Sequence, residues 1–229
     1  MYTIGKYKGT DKMSDLICTQ YAMLSVMSRF GIKLGFGDKT IREVCEDNGV
    51  DTNTFLAVIN VLDESNEAMT DEERSKISVK ALVDYLVNSH RYFLGYKLPL
   101  IRQKLIEAID WGSNDISMVI MRYFDEYVNE VNKHMQYEDE VVFPYVTALL
   151  DGNVQHDYNI EIFSRKHDNV ERKLSELKDI IIKYCPARST NELNGALFDI
   201  FSCADELISH NTLEDKLLIP AIHVMEQNK

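Results

Sequence analysis

The chain has 229 residues, 45% of them hydrophobic, with only 4 prolines and 10 glycines and a formal net charge of -12. This length is ample for a buried core, and so little proline and glycine suits a helical protein. The acidity argues against nucleic acid as a partner, which would need a basic stripe, and no uncharged apolar run is long enough to span a membrane.

No basic-then-apolar leader pattern opens the chain, so a cytoplasmic location is expected. Cys18, Cys45, Cys185 and Cys203 are scattered without Cys-x-x-Cys spacing, which predicts reduced thiols rather than disulfides or a zinc site.

From Ser14 to about Leu62 the pattern predicts short helices. Leu16, Ala22, Leu24, Val26, Met27 and Phe30 supply the apolar positions of a first helix, which Gly31 ends. Residues 33–39 read as a glycine-bearing turn, and Thr40 with Glu43 as a capping box that satisfies free amides at a helix start. A third helix begins near Asp51 and carries Phe55, Val58, Ile59 and Leu62. Residues 1–62 thus form a small helical N-terminal domain, marginal by itself, for which homodimerisation would supply a partner surface. The polar, charged stretch 63–77 is the expected linker.

Residues 78–229 then show four long segments with helical spacing. The first runs from about Val79 to Ala108, with a kink or break expected at Pro99. The second, about Ile116 to Leu150, should bend near Pro144. The third spans about Tyr158 to Tyr184, with Val170, Leu174, Leu177 and Ile181 on one face, and the fourth about Glu192 to Met225, with Pro220 matching Pro144. Short connections between long helices predict an all-α, up-down-up-down four-helix bundle.

A motif is repeated on the second and fourth helices. His134, Glu138, Asp139 and Pro144 recur 76 positions later as His210, Glu214, Asp215 and Pro220, and Glu130 and Glu206 precede the two histidines by four residues. On a helix, residues four apart share a face, so each His-Glu pair can address one object. The bland alternative is a pair of polar i,i+4 contacts in a metal-free bundle, which would leave charged groups in a dry core.

His90 and His167 lie 44 and 43 residues before His134 and His210, which puts a lone histidine at the level of each pair. The resulting set is His90, His134, Glu138, His167, His210 and Glu214. Six ligands exceed what one zinc ion takes and suit two adjacent octahedral metals bridged by carboxylates. Iron fits imidazole with carboxylate and redox chemistry; manganese is less favoured. Glu130 and Glu206 are candidate hydrogen-bond partners of the ligands. His156 and His223 fall near helix ends and are set aside.

At these residues the chain resembles the hemerythrin-like (HHE cation-binding) family, and within it the branch of di-iron iron–sulfur cluster repair proteins, also called repair of iron centres. The resemblance rests on the six-residue set in the family's order and on the Glu138 to Pro144 ending. It implies a stress-response protein that binds O2, NO or peroxide at two irons, reduces NO, or donates iron to proteins with damaged clusters. The runner-up is an O2 or NO sensor or store without turnover. Phe30-Gly31-Ile32 and Lys39-Thr40 resemble the flanks of the branch's N-terminal signature turn, but Gly35-Phe36-Gly37-Asp38 stands where that branch has adjacent cysteines.

Overall fold

The structure, a computed structural model, describes residues 6–63, 70–112, 115–153, 158–164 and 170–227. Among them there are helices and two isolated β-bridges but no strand, so the protein is all-α, a helical bundle preceded by a helical N-terminal region. None of these helices is long and apolar enough to cross a membrane.

The elements are α1 (Met13–Thr19), α2 (Met23–Arg29), α3 (Ile41–Asp47), α4 (Thr52–Leu62), α5 (Asp71–Ser75), α6 (Val79–Tyr92), α7 (Leu98–Ala108), α8 (Ile116–Tyr137), α9 (Phe143–Leu150), α10 (Glu161–Ser164), α11 (Val170–Tyr184), α12 (Thr190–Leu213) and α13 (Ile219–Gln227). They form two compact units. One comprises Met1–Ser89 with Thr212–Lys229, and the other His90–Asn211.

In the first unit, Met13, Leu16, Met27, Ile41, Val44, Phe55 and Ile59 are buried together as the core. The Thr40–Glu43 capping box forms as expected, and Asp51 caps α4 through the Thr54 amide. Gly31, at φ 75°, ends α2 in a left-handed turn in which the Ile32 amide donates to Met27 and the Gly31 amide to Ser28. The single helix expected up to Phe30 is instead two, α1 and α2. Gln20 leaves the helical region at φ -135°, and its side chain donates to Asp63 Oδ1 at 2.8 Å, a contact with the end of α4 that offsets the interrupted ladder. Tyr21 and Leu24 stay exposed as a result.

The second unit is built on the inner face of α8, where Ile120, Phe124, Tyr127, Val131 and Met135 recur every three or four residues and are fully buried. Leu174, Leu177 and Ile181 of α11 meet this core, as do Ala196, Ile200, Cys203 and Leu207 of α12. The side chain of Val170 is outside those described. Two pairs set the register of α8 against α11: Tyr123 donates to Glu176, and Lys173 pairs with Glu130. As one partner rises in number the other falls, so the helices run antiparallel. Lys97, buried in the π-helical turn between α6 and α7, donates to Asp199 Oδ1 at 2.9 Å, and Lys104 binds the other Asp199 oxygen.

The three prolines of the long helices share one local backbone pattern. Each is the second residue after a widened π-helical turn, and the turns are Phe93–Lys97, Glu138–Val142 and Glu214–Leu218. The helix runs through each turn, and Pro99, Pro144 and Pro220 sit where the ordinary helical pattern resumes.

Burial pushes the Asp199 carboxyl up, but hydrogen bonds from Lys104 and Lys97 outweigh it and hold the group below the ordinary carboxylate range. Its contribution is therefore complete above the unfolded value of about 3.9 and lost as pH falls through the lower folded value. Asp199→Ala should cost about 1–3 kcal/mol at neutral pH by urea denaturation, because the buried Lys97 loses its anion. The deficit should shrink as the pH drops below about 4.

Candidate metal centre

The i,i+4 spacing that places His134 and Glu138 on one face brings His134 Nε2 to 2.8 Å from Glu138 Oε1. From the end of α6, His90 Nε2 lies 2.9 Å from Glu138 Oε2, and from α12, His210 Nε2 lies 3.8 Å from the same oxygen. The two Nε2 atoms of His90 and His210 are 3.3 Å apart. One carboxylate thus has three imidazole nitrogens around it, and Glu138 itself is 0% exposed.

Packing holds these rings in place. Phe143 stacks on His90 with centroids 5.5 Å apart, Phe163 stacks on His134 at 6.5 Å, and Phe93 meets His210 edge-on at 6.1 Å. The remaining nitrogen of His90, Nδ1, is 2.9 Å from Asp139 Oδ1. A carboxylate partner at Nδ1 accepts the N–H there and fixes the plane of the ring, leaving Nε2 as the nitrogen that faces Glu138. Glu138 and Asp139 therefore bracket opposite nitrogens of a single imidazole.

The electrostatics follow from this crowding. Burial alone would raise the Glu138 carboxyl, but the imidazoles of His134, His210 and His90 hold it well below the usual range. Burial lowers His90, while Asp139 and Glu138 raise it and prevail over burial and over the repulsion from His210. The His90 imidazole, held above its ordinary range, thus supplies positive charge beside the carboxylate, at a position a metal ion would take over.

The donor set fits a cation. Neither Glu138 oxygen accepts a hydrogen bond of good geometry, although each has an imidazole nitrogen within 2.9 Å. Donor atoms of His90, Glu138 and His210 lie within 4.8 Å of one another, close enough to share an ion. Nitrogen and carboxylate donors together suit iron, manganese or zinc.

Of the six ligand candidates, the structure brings together His90, His134, Glu138 and His210 within one unit. Glu214 lies one turn beyond His210 on the same helical run and, like Glu138, opens a π-helical turn and is 0% exposed. His167 and His156 lie outside the described residues. His223 is 3.7 Å from Glu226 near the end of α13. Glu130 is ion-paired with Lys173, and Glu206 accepts a hydrogen bond from Ser202 at 3.1 Å. An acid beyond the six candidates that does touch a site histidine is Asp139, whose signal in the sequence was the repeated Glu-Asp pair at 138–139 and 214–215.

Residues 81–222 match the family described as the hemerythrin HHE cation binding domain. No curated protein matches the chain.

Removing the Asp139 carboxylate should free the His90 ring to rotate. Asp139→Ala is expected to lower metal affinity by about 10–100-fold in a chelator-competition titration. The metal-free protein should also melt at a lower temperature, because the buried His90 loses the acid that raises it.

Proposed function

The chain belongs to the hemerythrin HHE cation-binding family, and from that premise we propose that it is a non-haem di-iron protein. The observation that carries this reading is the fully buried Glu138 carboxylate with three imidazole nitrogens around it. His90, His134, Glu138 and His210 supply four of the ligands. Glu214 supplies the second carboxylate, on the strength of its burial and its place in the repeated motif, and His167 the fourth imidazole, on its spacing in the sequence. Six ligands of this kind suit a carboxylate-bridged metal pair, with iron favoured over manganese for redox chemistry.

When bound, the irons supply redox-active positions for O2, NO or peroxide. The chain's own residues do the rest. Asp139 fixes the tautomer and plane of His90, and Phe143 and Phe163 cover the faces of His90 and His134 and exclude water there. A metal held at His90 would displace the proton that Asp139 and Glu138 favour there, so loading would release a proton.

The finer reading is a cytoplasmic stress-response protein like the iron–sulfur cluster repair proteins, which reduces NO or donates iron to damaged clusters. One observation favours the second reading, an O2 or NO sensor or store. The turn that carries a cysteine pair in that branch here holds Gly35 and Gly37 in left-handed conformations, at φ 98° and 65°. The nearby Cys45 is buried, which pushes its thiol up to about 12 and leaves little thiolate at neutral pH.

Metal analysis with an electronic spectrum tests the site. About two irons per chain and an oxo-bridged di-ferric band in the near ultraviolet are expected, and zinc or no metal would sink the reading. Exposing the reduced protein to NO separates the two functions. Release of nitrous oxide supports turnover, and stoichiometric binding without product supports sensing.

A further inference from the structure

Three of the chain's 4 prolines share one local structure. In an α-helix the amide of each residue donates to the carbonyl four back, so a proline leaves that carbonyl without its donor and its ring collides with it. Here the helix relieves the collision one turn earlier. The amide just before each proline reaches back five residues: Leu98 to Phe93, Phe143 to Glu138, and Ile219 to Glu214. In two of the three cases the accepting residue, Glu138 or Glu214, carries a buried carboxylate.

The widened turn has a visible effect at Glu138. Neighbouring side chains on a regular helix point about 100° apart, yet Glu138 and Asp139 both reach the same ring, at Nε2 and Nδ1 of His90, each at 2.9 Å. The turn directs one acid at the metal position and the next at the back of the histidine that shares it. Widened turns of this type recur at functional sites.

We infer that Pro144 and Pro220 are positioning residues, which hold Glu138 and Glu214 at the head of widened turns by denying the helix its ordinary bond. The inference rests on the di-iron reading. Pro99 gives a contrast, because its turn opens on Phe93, which is no metal donor and meets the site only through its edge-on contact with His210. The competing explanation is that burial of Val142, Phe143, Tyr145, Val146 and Leu149 holds the Glu138 turn with no help from proline.

The test compares wild type with Pro99→Ala, Pro144→Ala and Pro220→Ala, each titrated with ferrous iron and also melted and crystallised without metal. Pro144→Ala and Pro220→Ala should bind iron at least tenfold more weakly, with a metal-free thermal midpoint equal to or above that of wild type. Pro99→Ala should lose less iron affinity than either, because its turn orients no carboxylate. In metal-free Pro144→Ala, the Phe143 amide should turn from Glu138 to Asp139. The proposal is overturned if that bond stays on Glu138, if iron affinity is unchanged, or if affinity falls only in step with metal-free stability. A wild-type protein that takes up no iron is a different failure, that of the di-iron reading, and the metal-free structure still decides the role of Pro144.

Discussion

A carboxylate with no exposed surface cannot stay ionised in a helical core unless positive charge stands beside it, and the Glu138 site is organised around this constraint. Removing a charged group from water costs several kcal/mol even after relaxation. Here the attraction of three imidazoles exceeds that cost, since the carboxyl is held well below its ordinary range in spite of complete burial. The histidines answer opposing demands in their turn. Burial would strip His90 of its proton, and Asp139 and Glu138 keep it. A proton and a metal ion are thus alternative occupants of the same nitrogens, and the metal-free protein can fold with the site assembled.

Holding such a cluster requires rigid supports, and the second unit provides them. Beneath the donor residues lie apolar positions at helical spacing, with Phe124, Tyr127 and Val131 on α8 facing Cys203 and Leu207 on α12. The longitudinal register is fixed by polar pairs outside this core, Tyr123 with Glu176 and Glu130 with Lys173. Apolar packing sets which face of each helix turns inward, and these pairs set how far each helix slides. Both are needed, because a ligand displaced by one turn would miss its partner by about 5 Å.

The long helices and most of the donor set were legible in the sequence because both obey the period of the α-helix. Leu174, Leu177 and Ile181 lie on the face their spacing predicts, and the His-x-x-x-Glu repeat marked His134 and Glu138 as neighbours before any fold was known. What was not legible depends on relations between helices or on strain displaced along one. The role of Glu130 was open because its register against Lys173 is tertiary information. The role of Asp139 was hidden because an acid next to Glu138 belongs on a different face of a regular helix. The prolines drew attention to the right segments, but spacing alone did not show that the backbone adapts through a widened turn just before each of them. The break at Gln20 was invisible for a related reason, since Asp63, which receives its side chain, is 43 positions away.

The N-terminal unit constrains function in another way. Its turn at Gly35 and Gly37 uses left-handed backbone that side-chain-bearing residues adopt only at a cost. Thiol exchange needs an accessible, low-pKa thiolate. Cys45 is buried with its thiol pushed up to about 12, and Cys18, which is exposed on α1, lies outside the turn. Redox work by paired cysteines at this turn is therefore ruled out by composition and geometry together.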